Sequence, residues 1–132
     1  MTIGLVLVSH SAKLAGGVRE LAEQVAQGAV PIRAVGGASD GSLGTNALAI
    51  VEAVDSLADA EGILVLTDLG SAVMSAETAL EQLDPALRSR VRLADAPFVE
   101  GAMAAAVEAS MGSNLKAVLG TAEAARGQAK LG

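Results

Sequence analysis

Two short aliphatic runs, Ile3-Gly4-Leu5-Val6-Leu7-Val8 and Gly62-Ile63-Leu64-Val65-Leu66, constrain this chain more than any other feature. Each is apolar throughout rather than alternating, as expected of a strand buried on both faces of a parallel sheet. Each stops at polar residues, the first at Ser9-His10-Ser11 and the second at Thr67-Asp68. His10 is the only histidine in 132 residues. The ends of such strands lie along the carboxyl edge of the sheet, where open α/β folds bind their ligands.

Between these runs the period changes. Leu14, Val18, Leu21 and Val25 recur at helical spacing and predict a helix over about 11–27, with Ser11 as its cap and Gly28 at its end. Residues 31–35 predict a second, shorter strand, followed by a Gly-rich loop over 36–44. Thr45 then opens a helix with Ile50, Val54 and Leu57 on its inner face. After Asp68, Leu69-Gly70-Ser71 turns the chain into a helix with Val73, Ala76, Leu80 and Leu83 inside. Residues 90–94 alternate and predict an edge strand. An alanine-rich helix over 102–111 and another over about 114–125 complete a βαβαβαβαα pattern.

This pattern predicts an α/β fold: an open parallel four-stranded sheet with helices on both faces, three layers in all. The two most apolar strands belong in the middle, which gives the order 2-1-3-4. Right-handed crossovers then send the first and second helices to opposite faces. The connections diverge between strands one and three, so the crevice lies at their carboxyl ends. His10 and Asp68 are predicted to stand there side by side.

Composition narrows the function. The length fits one domain over residues 1–132. Apolar residues make up 52% of the chain, yet Phe98 is the only aromatic, so stacking on bases has little to work with. A net charge of −6 also argues against a nucleic-acid partner. Cysteine is absent, which excludes disulfides and thiolate metal sites. The first apolar run lacks a positive n-region and ends within eight residues, unlike a targeting segment. No window reaches the roughly 18 apolar residues of a membrane span. A soluble cytoplasmic domain that binds no membrane is expected.

Several motifs fail on inspection. Gly37-Ala38-Ser39-Asp40-Gly41 matches the G-x-S-x-G nucleophile elbow, but that motif needs a later histidine and the only one here comes earlier. The loop also lacks the Lys-Ser/Thr ending of a P-loop and the G-x-G-x-x-G spacing of a dinucleotide site. No metal site and no cofactor are implied. Lys13, Glu77 and Glu100 read as surface charges.

What remains is a lone His–Asp pair. A histidine taken alone is most simply structural, and Asp68 could merely cap a turn. Placed together at a crevice, they suit a different task. The carboxylate accepts the Nδ1 hydrogen, fixes the tautomer and leaves Nε2 nucleophilic. Phosphoryl is the transferable group suited to imidazole, and the helix start at Gly70, Ser71 and Ala72 offers N–H donors for its oxygens. Ser9, Ser11, Gly37 and Thr45 are placed on the rim.

The same residues carry a resemblance. Val8-Ser9-His10-Ser11, Gly36-Gly37 with Gly44-Thr45, and Leu66-Thr67-Asp68-Leu69-Gly70-Ser71-Ala72 with Ser75-Ala76-Glu77-Thr78-Ala79 resemble the mannose-family IIA domain of the sugar phosphotransferase system. With Ala96-Pro97-Phe98-Val99-Glu100-Gly101-Ala102, the closer resemblance is to the phosphotransfer subunit of the phosphoenolpyruvate-dependent dihydroxyacetone kinase. It implies a cytoplasmic homodimer in which His10 takes phosphoryl from the phosphocarrier protein HPr. The phosphoryl group would pass to ADP on the kinase's nucleotide-binding subunit, and the ATP formed would phosphorylate dihydroxyacetone. Asp68 falls where the family keeps the carboxylate that pairs with the histidine. Some members carry fused HPr-like and enzyme I-like domains; this sequence has neither, so separate carriers are expected. Three alternatives stay open: a mannose-type IIA domain feeding a sugar permease, a regulatory module that reads phosphorylation state, and a simple anion-binding or scaffold domain. The permease branch usually has Thr-His-Gly and Gly-Gly-Ser-Pro where this chain has Ser9-His10-Ser11 and Leu69-Gly70-Ser71-Ala72.

Overall fold

A computed structural model describes residues 2–132. The chain runs β1 (Ile3–Ser9), α1 (Ala12–Val25), β2 (Ile32–Gly36), α2 (Ala47–Asp55), β3 (Gly62–Thr67), α3 (Gly70–Glu81), α4 (Pro85–Arg88), β4 (Val91–Leu93), α5 (Phe98–Ser110) and α6 (Leu115–Ala124). The sheet is parallel throughout in the order β2-β1-β3-β4, as the sequence predicts. β1 and β3 pair from Ile3 opposite Gly62 to Val8 opposite Thr67, so both strands end at the same level.

Strand alternation divides the two central strands between two cores. Ile3, Leu5, Leu7, Leu64 and Leu66 face α1, α5 and α6. Val6, Val8, Ile63 and Val65 face α2 and α3. With helices over both faces every residue of both strands is buried, and the polar ones are confined to the last position of each, Ser9 and Thr67. Truncating any of these leucines to alanine carries a cost of about 2–5 kcal/mol.

The first helix corrects the sequence reading. α1 turns Ala15, Val18 and Ala22 to the core and leaves Leu14, Leu21 and Val25 exposed. The leucine spacing was therefore one residue out of phase with the buried face, and only Val18 belongs to both patterns. α1 also stops at Val25, before Gly28. Gln27 adopts φ 53° and Gly28 φ 74°. The Gly28 N–H donates to Glu23 O at 3.1 Å and that of Gln27 to Gln24 O at 3.1 Å, a Schellman closure with glutamine in the left-handed position.

Other boundaries also move. Thr45 does not open α2; Asn46 does, accepting the N–H groups of Leu48 at 3.0 Å and Ala49 at 3.4 Å. Val73 is only partly buried on α3. The one-turn α4 has no counterpart in the predicted pattern, because four residues are too few to show a period. α5 begins at Phe98 rather than 102, with Pro97 in extended geometry at its N-cap and no capping side-chain bond.

Candidate functional site

His10 follows β1 and Asp68 follows β3, so the strand register brings them together. The Asp68 N–H donates to Val8 O at 3.1 Å, extending the ladder one step beyond the strands. His10 Nδ1 then lies 2.9 Å from Asp68 Oδ1. The same oxygen accepts the Leu69 N–H at 2.7 Å. The other oxygen accepts the His10 backbone N–H at 3.0 Å and the Ser9 hydroxyl at 2.8 Å.

A carboxylate only accepts, so Nδ1 carries the hydrogen and Nε2 keeps its lone pair. Asp68 is 9% exposed at its side chain and His10 23%. Burial works to raise the Asp68 pKa. The bonds from the His10 backbone and ring, from Ser9 and from Leu69 outweigh it and hold the carboxyl below its ordinary value. The site therefore contains a fixed anion, an oriented ring and a nitrogen lone pair facing out of the crevice.

That lone pair faces the start of α3, where the Ser71 hydroxyl meets Nε2. Leu69 sits at the N-cap in extended geometry but supplies no capping side chain. Among the described residues, the N–H groups of Gly70 and Ser71 find no protein acceptor, while that of Ala72 donates to Leu69 O at 3.0 Å. Two free donors and a helix N-terminus thus sit beside Nε2, an arrangement suited to an anion. On the other side of Asp68, a cleft of about 370 Å³ opens between the ends of β3 and β4, lined by Thr67, Gly70 and Asp95 among others. His10 does not line it.

The predicted rim divides. Ser11 is the N-cap of α1, accepting the Leu14 N–H at 3.2 Å. Gly37, at φ 83°, turns the chain out of β2 into the loop. Thr45 reaches Ser75, with 2.5 Å between the hydroxyl oxygens, one helical turn beyond Ser71, and does not bond to His10. Ser9 is a correction: it is wholly buried beneath the pair, not on the rim.

Two backbone features of the site escaped the sequence. The Gly44 N–H donates to His10 O at 2.8 Å and ties the loop to the histidine. Gly36 passes so close to the first turn of α1 that a Cβ there would lie 2.5 Å from Ser11 O.

With this geometry in hand, comparison with known proteins decides the family. A family model described as the PTS system fructose IIA component, EIIA-man, matches residues 4–119. The chain belongs to the EIIA-man family. It is 44% identical over 117 residues to phosphoryl donor subunit DhaM of PEP-dependent dihydroxyacetone kinase 2 from Listeria innocua, covering 89% of this chain and 94% of that one. It is 46% identical over 120 residues to the DhaM subunit of Klebsiella michiganensis, covering 89% of this chain. The EIIA-man chain spans only about a quarter of the length of that relative and of the one from Escherichia coli. A crystal structure of a protein of unknown function superposes with a TM-score of 0.90 at 37% identity, covering all of both chains. No helix among the described residues is long and apolar enough to cross a membrane.

Proposed function

We propose that this chain is a single EIIA-man domain that carries phosphoryl on His10, serving as the phosphoryl donor subunit of a dihydroxyacetone kinase. The observation that supports this best is the chain of contacts from Asp68 through the His10 ring to the uncapped start of α3. In the first step, the Nε2 lone pair attacks the phosphorus of phosphorylated HPr. The new N–P bond forms on His10 as the N–P bond to the donor breaks. Asp68 stabilises the positive charge that develops on the ring, and the N–H groups of Gly70 and Ser71 receive phosphoryl oxygens. The Ser71 hydroxyl must swing off Nε2 and can then donate to the same group.

In the second step, a β-phosphate oxygen of ADP on the kinase's nucleotide-binding subunit attacks the same phosphorus. The His10 N–P bond breaks, ATP forms and the ring returns to its starting tautomer. The names of the relatives support the kinase as acceptor. A cytoplasmic location and a homodimer belong to this reading.

The deciding experiment is incubation with phosphoenolpyruvate, enzyme I and HPr, followed by intact mass. One added phosphoryl group, labile in acid and stable in base, is the expected result; no addition removes the proposal. A chase of the labelled protein with ADP and the nucleotide-binding subunit tests the acceptor. Retention of label there would point instead to a sugar permease or a regulatory role. Light scattering should give a dimer mass, and a monomer would remove that part.

A further inference from the structure

We propose that the buried hydroxyl of Ser9 is a positioning residue for the His10–Asp68 pair, holding the Asp68 carboxylate in the orientation that keeps the hydrogen on Nδ1. The inference rests on the carrier reading above, but it concerns a residue whose place only the fold reveals. Ser9 and Thr67 are the buried polar or charged side chains among the described residues, and Ser9 is 0% exposed. Its Oγ accepts the Ser11 N–H at 3.0 Å and donates to Asp68 Oδ2 at 2.8 Å.

The direction of the second bond follows from chemistry. A hydroxyl has one hydrogen, and an N–H can only be accepted through an oxygen lone pair. Because Asp68 is acceptor-only, the Ser9 hydrogen must point at it. A serine needed only to close a turn would make the Ser11 bond and stop there. This one also grips the carboxylate oxygen that does not face the imidazole.

That grip has two effects. Oδ2 is held by Ser9 and the His10 backbone N–H, so rotation about the carboxylate axis is blocked and Oδ1 stays on Nδ1. Each added donor also stabilises the anion, so the carboxylate is a poorer base toward the ring hydrogen as positive charge builds on the imidazole. Among the described residues, His10 is the only titratable side chain bonded to Asp68. The competition for the proton therefore lies between these two groups.

The test uses Ser9→Ala and Ser9→Cys in the full chain. The cysteine nearly keeps the volume and replaces the hydroxyl by a weak donor. In the unphosphorylated protein, carbon-13 NMR follows the Asp68 carboxyl through acid titration and nitrogen-15 NMR reads the His10 tautomer. Both variants should titrate Asp68 at higher pH than wild type and show a less uniform Nδ1–H tautomer. Phosphoryl uptake from phospho-HPr should slow by about 10- to 100-fold, the range for a hydrogen bond to a charged group. Thermal unfolding reads fold stability separately.

A folded variant of either kind with Asp68 titrating at the wild-type position, or with wild-type uptake, overturns the inference. The NMR arms need no phosphoryl transfer. Wild-type protein that takes no phosphoryl from HPr would defeat the carrier reading, while the titration still decides the case of Ser9.

Discussion

Asp68→Asn keeps the shape of the side chain and removes its charge, which isolates the work of the four bonds that converge on it. The carboxylate offers two acceptor oxygens; the amide offers one oxygen and an NH2 group. With the amide oxygen toward His10 Nδ1 and the Leu69 N–H, the NH2 faces the Ser9 hydroxyl and the His10 N–H. The hydroxyl can turn to accept, but the backbone N–H cannot. One donor left unpaired costs about 1–3 kcal/mol, and replacing the remaining charge-assisted bonds by neutral ones costs about 1 kcal/mol each. A loss of about 4–6 kcal/mol at neutral pH is expected.

The pH dependence has a definite sign. The folded pKa of Asp68 lies below its unfolded value. Its contribution is therefore complete above the unfolded value, about 3.9, and is lost as pH falls through the folded one. The gap between wild type and Asp68→Asn should be widest at neutral pH and narrow on acidification. Urea unfolding in steps from neutral to acid pH measures it. In the carrier assay the variant should accept phosphoryl about 10²–10⁴-fold more slowly. A stability gap that ignores pH, or transfer at the wild-type rate, would refute the reasoning.

Three further predictions follow from the same structure. His10→Ala should remain folded and show no added phosphoryl by intact mass, because no second histidine exists to accept it. Gly36→Ala would place a methyl 2.5 Å from Ser11 O and 2.7 Å from Ala12 Cα, backbone atoms that cannot swing aside. It should cost about 1–3 kcal/mol in thermal unfolding and shift the amide resonances of His10 and Ser11. Gln27→Gly relieves a non-glycine residue at φ 53° and should raise stability by about 0.5–1 kcal/mol in urea titration, with unchanged phosphoryl uptake.

The central sheet and the His10–Asp68 pairing could be read from sequence because one physical rule governs both. Strands buried on two faces are apolar until their final position, so their ends, and the polar groups there and just beyond, announce themselves. The α1 face is hidden in the sequence for the opposite reason. Leucine and valine spacing points to one inward stripe, but this helix lies close to the sheet and puts Ala15 and Ala22 inside. In a core with one aromatic, small residues set the approach distance, and bulk no longer marks burial. The sequence suggests a rim position for Ser9 because a serine beside a histidine gives no sign of where its hydroxyl points. Its acceptor is 59 residues away in the chain and is supplied only by the register of β1 on β3. The same holds for Gly36, whose need for a missing side chain depends on the crossing of α1 above it.

Helix α3 begins on a leucine that cannot cap it. In most proteins this would be a small, unrepaired defect in folding energy. On the carrier reading the transferred group completes the helix, so part of the free energy of folding becomes part of the free energy of transfer. A phosphoryl oxygen seated on the N–H groups of Gly70 and Ser71 lowers the group-transfer potential of phosphohistidine by whatever the helix end gains. A fully capped helix would leave the bond at its intrinsic potential, and a stronger anion site would make it too stable to give up. The uncapped leucine then sets an energetic step between donor and acceptor, and the loaded protein should melt at a higher temperature than the empty one.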